Sequence, residues 1–172
     1  MKQSELQKEL DKFKNYVISE SQKNLRKLGK DGGKLYDSIQ ARVKANPNSF
    51  EIEFSMEEYG IYQDKGVSGT EKKYKTPFKY KKGKENAPPP RAFDKWVVRK
   101  GLAPRNKSGK FASRSGIKFA LSVFIQKNGV KPSLFFTKPF EKAYKKLPQD
   151  LVEAFGVDAI KLFNESVYLT KK

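Results

Sequence analysis

Neither cysteine nor histidine occurs anywhere in the 172 residues. Without thiols there are no disulfides, no zinc fingers and no thiolate nucleophile. Without imidazole there is no serine–histidine triad, no histidine metal site and no histidine general base. The missing cysteine fits a reducing compartment. Long apolar runs are missing too. The longest, Ile117 to Ile125, is broken by Lys118, whereas a membrane span takes about 20 apolar residues. The opening Met1-Lys2-Gln3-Ser4-Glu5 holds no apolar signal core, so neither a leader nor a membrane partner is expected. Acidic residues are scarce: 19 Asp and Glu stand against 37 Lys and Arg, a net charge of +18.

A chain so basic repels itself, and the charge calls for a partner: DNA, RNA, an anionic membrane or an acidic protein surface, of which the membrane is the one not expected. The length fits one domain, or one domain with a large insertion. Only 37% of residues are hydrophobic, but 13 Phe and 8 Tyr supply bulky packing groups. A modest core under a polar surface follows.

Residues 4 to 28 read as one amphipathic helix. Leu6, Leu10, Phe13, Val17 and Leu28 share a stripe with Leu25 beside it, and Gly29, Gly32 and Gly33 end it. A β-hairpin follows across Asn46-Pro47-Asn48-Ser49. Pairing Ala45 with Phe50 sets Val43 against Ile52 and Ala41 against Phe54 on an apolar face. The same register sets Lys44 against Glu51 and Arg42 against Glu53 on the other. Ser55-Met56-Glu57-Glu58 has the pattern of a capping box, predicting a short helix through Tyr59 and Tyr62 that Gly66 closes in a left-handed conformation.

The composition then changes. From Glu71 to Lys118 there are 16 Lys and Arg against three acids, Glu71, Glu85 and Asp94. That stretch carries +13 of the total +18 and leaves +5 for everything else. It runs through a Lys-rich loop, Pro88-Pro89-Pro90, a short helix with Phe93, Trp96 and Val97 on one face, and the basic turn Arg105-Asn106-Lys107-Ser108-Gly109-Lys110. Beyond it, Ile117, Ala120, Leu121 and Phe124 share a helical face that Asn128-Gly129 ends. Ser133 to Thr137 reads as extended. Thr137 then caps a helix with Pro139 in its first turn and Phe140, Ala143, Tyr144 and Leu147 inward. Pro148 kinks or restarts it, and Leu151, Phe155, Ala159, Leu162 and Phe163 form a last stripe ahead of a tail, Thr170-Lys171-Lys172.

The basic stretch is the main functional signal. Lys72, Lys73, Lys75, Lys79, Lys81, Lys82 and Lys84 interleave with Tyr74, Phe78 and Tyr80, and Arg105, Lys107 and Lys110 follow. Cations meet phosphates, or the carboxylates of an acidic partner, while aromatics stack on bases or pack locally. No helix-turn-helix, zinc finger or RNA-recognition signature is present, so sequence-specific base reading is not expected. Trp96 and Phe93 read as core or subunit-interface anchors, and so do Phe135 and Phe136. Asp64 with Glu71-Lys72-Lys73 echoes an Asp…Glu-x-Lys nuclease site, but no apolar strand lies beneath it to hold a metal. Glu51 and Glu53 point the same way, yet cross-strand pairing accounts for them. No Walker phosphate loop occurs. No catalytic residue, cofactor or metal is expected.

Three stretches occur in a telling order: the long helix and hairpin; Tyr59-Gly60-Ile61-Tyr62-Gln63-Asp64-Lys65-Gly66; and Pro132-Ser133-Leu134-Phe135-Phe136-Thr137-Lys138-Pro139-Phe140 running into a closing helix. Together, over residues 4 to 66 and 129 to 165, they resemble the tail-completion or head–tail joining proteins of tailed bacteriophages. The resemblance implies an α+β fold, a small antiparallel sheet packed on long helices. Residues 1–66 and 113–172 would be the core and 67–112 a basic insertion. It further implies a non-enzymatic virion protein of the neck or tail, made in the host cytoplasm. Copies would form a ring, a dodecamer or hexamer, beside the portal or adjacent neck and tail ring proteins, in contact with packaged DNA. The chain departs from the family in carrying Val67 to Ala112 where the family has a short loop. The alternative is a basic, sequence-nonspecific nucleic-acid-binding protein working as a monomer or dimer.

Overall fold

The computed structural model describes residues 5–46, 49–103, 105 and 109–169, and the backbone alone at 45–46, 49 and 159–169. The turn residues Pro47 and Asn48, then Pro104, Asn106, Lys107 and Ser108, the tail from Thr170, and the side chains of Ala159, Leu162 and Phe163 lie outside the described residues. Among the described residues, seven α-helices and one two-stranded antiparallel sheet make an α+β fold. The chain divides into two compact units, residues 1–60 with 134–172, and residues 61–133. The second unit holds the whole of 67–112 and also 61–66 and 113–133, stretches that the tail-completion resemblance would assign to the core.

In the first unit, α1 (Glu5–Lys27) buries Leu10, Phe13, Val17, Ser21 and Leu25 along one stripe. Leu28, expected on that stripe, is 49% exposed, because the helix ends before it and Leu25 takes the inward place. Gly29 closes the helix at φ +64. Its N–H donates to the Arg26 carbonyl at 2.9 Å, and the Lys30 N–H donates to the Leu25 carbonyl at 3.0 Å. These two bonds form a Schellman closure. A five-residue helix that the periodicity does not announce, α2 (Lys34–Ser38), turns the chain into the hairpin and buries Leu35.

The hairpin pairs β1 (Gln40–Asn46) with β2 (Ser49–Ser55) in the expected register, Val43 opposite Ile52 and Ala41 opposite Phe54. Lys44 Nζ reaches Glu51 at 3.7 Å, with both side chains more than half exposed, so this pair adds little to stability. Phe50 is exposed, and the apolar face stops short of the hairpin tip. The expected capping box does not form. Ser55 is the last strand residue, paired with Gln40, and the Glu57 N–H donates instead to Ser38 Oγ at 3.0 Å. The next helix, α3, therefore starts later, at Gly60, and runs to Lys65. Gly66 ends it at φ +75, the left-handed conformation expected.

From Ile61 on, α3 belongs to the second unit; two closing helices complete the first, α6 (Thr137–Tyr144) and α7 (Leu147–Leu169). Thr137 is not the cap but the first residue inside α6. Phe136 occupies the cap position, Phe135 and Phe136 form a turn rather than an extended run, and Pro139 sits in the first turn, where a missing N–H costs nothing. The helix breaks at Lys145–Lys146 and restarts beside Pro148. Along α7 the inward stripe is Leu147, Leu151 and Ala154; Phe155, expected inward, is 65% exposed. Tyr144, likewise expected inward, is exposed.

α1 packs on α6, α7 and β1. Leu25, Leu35, Ile39 and the fully buried Phe135 form one cluster, and Phe13, Val17 and Leu147 a second, with Phe136 packed against both. Phe54 meets Phe13, Phe136 and Phe140 edge to face at 5.4 to 6.1 Å between ring centres, a geometry aromatic pairs favour. A carboxylate from α7 caps α1: Asp158 accepts the N–H groups of Glu5 and Leu6, both at 3.0 Å. Those donors have no partner within the helix, and the anion sits at the positive end of its dipole.

Candidate polyanion-binding surface

The second unit, residues 61–133, contains 19 Lys and Arg and four acids, Asp64, Glu71, Glu85 and Asp94, a net charge of +15. The first unit, with 18 Lys and Arg against 15 acids, carries only +3. The charge is thus segregated into one compact body.

The Lys-rich loop has a fixed course. Ser68 and Lys79 form a parallel bridge, with the Ser68 N–H donating to the Phe78 carbonyl and the Tyr80 N–H to the Ser68 carbonyl. Ser68 Oγ accepts from the Tyr74 N–H at 3.0 Å and donates to the Tyr74 carbonyl at 3.1 Å. On its other side, 67–72 pairs with the end of α5 (Arg114–Asn128) and the residues after it. Val67 exchanges both backbone bonds with Val130 at 2.8 Å, and the N–H groups of Thr70, Glu71 and Lys72 donate to the carbonyls of Gln126 and Lys127. This approach needs glycine. A Cβ on Gly69 would stand 2.0 Å from the Lys127 oxygen, and one on Gly129 would stand 2.1 Å from the Val67 oxygen. The Gln126 amide then holds the lysine turn by donating to the carbonyls of Lys81 and Gly83.

Anchoring sorts the side chains. Lys72, Lys73, Lys75, Lys79, Lys81, Lys82 and Lys84 are all exposed, while Tyr74, Phe78 and Tyr80 between them are half-buried. Phe78 meets Tyr62 edge to face at 4.7 Å, and partial burial holds the Tyr80 phenol above its ordinary pKa. These aromatics pack locally and are poor platforms for bases. Several lysines of the second unit have close partners: Lys73 donates to the Gly69 carbonyl at 2.8 Å, Lys72 lies 5.8 Å from the Tyr74 ring centre, Lys127 pairs with Glu71 at 2.9 Å, and Lys118 pairs with Asp94. Arg105 and Lys110 are exposed around a separate bridge, Arg105 to Phe111, where the guanidinium stacks 4.4 Å from the Phe111 ring centre. Lys107 is among the residues outside the description.

The other predicted residues separate. Phe135 and Phe136 are core residues of the first unit. In the second, two 3-10 turns (Lys84–Asn86 and Pro90–Phe93) lead into α4 (Asp94–Arg99). There Val97 is buried, Phe93 is half-buried and Trp96 is 38% exposed, so Trp96 is not a core anchor. α4 is held to α5 by the Asp94–Lys118 ion pair, and Ser122 Oγ donates to the Pro88 carbonyl. The nuclease-like residues do not assemble: Asp64 is buried in α3, whereas Glu71 is exposed and paired with Lys127. Among the described residues no group of three or more acidic side chains is placed to hold a metal.

No protein-family model, curated protein or solved structure matches the chain. The surface is therefore read from its own chemistry. A fixed loop presenting seven exposed lysines, with its aromatics turned inward, suits phosphates or carboxylates met as charges and not bases read by stacking. Charge counting finds the lysines. It misses the serine, glutamine and glycines that set the loop, whose only signal is the small side chain at Gly69 and Gly129.

Proposed function

We propose that this chain is a structural protein of a tailed-phage virion, a neck or tail ring subunit at the portal–tail junction through which DNA passes. Its second unit is the surface that meets the DNA backbone. The observation that carries this reading is the segregation of charge, +15 in residues 61–133 against +3 in the rest. A near-neutral body with helix, hairpin and closing helices, in the order that the tail-completion resemblance implies, supports the structural role. Local packing of Tyr74, Phe78 and Tyr80 favours sequence-independent contact. The same segregation fits a monomeric nucleic-acid-binding protein, and oligomeric mass separates the two.

The test pairs light scattering with duplex DNA binding across a salt series. A ring subunit assembles beyond a dimer. Substituting Lys79, Lys81, Lys82 and Lys84 together by Gln lowers the log–log salt slope by up to ~3.6, at about 0.9 for each phosphate left without its cation. An unchanged slope, with assembly and virion incorporation also unchanged, would leave the loop merely solvated and end this reading of it.

A further inference from the structure

The aromatics of the lysine loop turn inward, but α4 presents a ring to solvent beside cations that have no partner. Val97 is buried and fixes one face of the helix, and the Asp94–Lys118 ion pair holds it to α5. Trp96 is left 38% exposed. The helix ends in a Schellman closure. Gly101, at φ +58, donates its N–H to the Val98 carbonyl at 3.0 Å, and the Leu102 N–H donates to the Val97 carbonyl at 3.2 Å. That closure sets Arg99 and Lys100 one turn beyond Trp96, on its side of the helix.

The charges here are unspent. Arg91, Lys95, Arg99 and Lys100 are exposed, and among the described residues their side chains have no ion-pair, hydrogen-bond or ring partner. Asp94, the acid within the same helix, is taken by Lys118. The Trp96 ring is free as well. Elsewhere in the second unit, Lys72 and Arg105 lie over the rings of Tyr74 and Phe111, and Tyr62 meets Phe78. Phe119 and Phe124 of α5 are exposed but have no free cation a turn away, since Lys127 pairs with Glu71.

A bare aromatic face with free cations one turn on suits an unpaired base and the phosphates beside it: the ring stacks and the cations neutralise. A membrane surface asks for more apolar area. Six residues with Val97 turned inward leave it one indole and Val98, ringed by cations.

We propose that Trp96 is a stacking platform for an unpaired nucleobase, with Arg99 and Lys100 on the flanking phosphates, so that the second unit takes single-stranded nucleic acid as well as duplex backbone. The proposal rests on the reading of that unit as a polyanion surface and adds the class of nucleic acid. Every base has a π face, so the contact is indifferent to sequence.

Trp96 is the only tryptophan, and its fluorescence reports the site directly. An oligothymidylate is expected to quench it. An abasic strand of equal length, with the phosphates but no bases, is expected to bind with little quenching. Trp96→Ala is expected to weaken oligothymidylate binding about tenfold, the worth of one stacked base, and to leave the abasic strand and a blunt duplex bound as before, which shows that the variant folds. Trp96→Phe keeps a ring and is expected to retain most of the affinity. Arg99→Gln with Lys100→Gln is expected to lower the log–log salt slope on the oligothymidylate by about 1.4, from two phosphates on a single strand. Equal quenching by the two strands, undiminished oligothymidylate binding in Trp96→Ala, or an unchanged salt slope overturns the proposal and leaves the polyanion surface in place. So does a blue shift with phosphatidylglycerol vesicles and no quenching by the oligothymidylate, which makes α4 a membrane contact. If Trp96→Ala loses the abasic strand too, the quenching comparison in the parent decides. A parent that binds neither strand nor duplex overturns both readings.

Discussion

Replacing Gly69 by Ala tests whether the basic loop is held by backbone contact or merely by its own turns. A Cβ there stands 2.0 Å from the Lys127 carbonyl oxygen, 1.4 Å short of the 3.4 Å at which ordinary contact begins. The obstacle is backbone, so no side chain can swing aside. Separating the two segments by that much carries the N–H groups of Thr70, Glu71 and Lys72 from 2.9–3.1 Å out of hydrogen-bonding range of Gln126 and Lys127. Three bonds at ~1 kcal/mol each make a loss of about 3 kcal/mol. Gly29→Ala is the control. Its φ is +64 with nothing within 4 Å of the added atom, so only the conformational cost applies, about 1 to 2 kcal/mol. Trp96 is the only tryptophan and lies in the second unit. Urea unfolding followed by its fluorescence therefore reports the unit that Gly69→Ala disturbs. Amide exchange at Thr70, Glu71 and Lys72 should quicken by about a hundredfold, since every 1.4 kcal/mol is tenfold. A loss at Gly69 no greater than that at Gly29, with protection at these amides retained, would refute the reasoning.

Other consequences follow from the same structure. Asp158→Ala uncovers the N–H groups of Glu5 and Leu6 and should cost about 1 kcal/mol, read as a lower thermal midpoint; Asp158→Asn keeps an acceptor and should lose less. Phe135→Ala empties a fully buried site and should cost about 3–5 kcal/mol in chemical denaturation. Burial raises the Tyr80 phenol above 10.0 in the folded state, so its contribution is intact below pH 10 and is lost as pH rises through the folded value. Tyr80→Phe should flatten that alkaline decline in denaturation curves taken from pH 9 to 11.

The hairpin register was legible because two independent patterns, apolar inside and opposite charges outside, agree on one alignment of β1 with β2. The start of α3 was not, because Ser55 carries a capping signature yet is already paired to Gln40; a strand partner remote in sequence outcompetes a local cap. α2 is too short to show a period. The candidate surface was legible as charge, since lysines need no partner to be counted. Its scaffold was not, since a 2.0 Å approach between residues 69 and 127 leaves no mark beyond a glycine.

The helical stripes went wrong in an instructive direction. Periodicity sends Phe124 and Phe155 inward, yet both are more than half exposed. α5 turns Ser122 toward the Pro88 carbonyl, and α7 turns Leu147, Leu151 and Ala154 toward α1, so in each helix the bulkier aromatic is left outside. An apolar period states that a helix face avoids water, and does not state which chain covers it. Exposed aromatics at helical spacing are costly to leave bare.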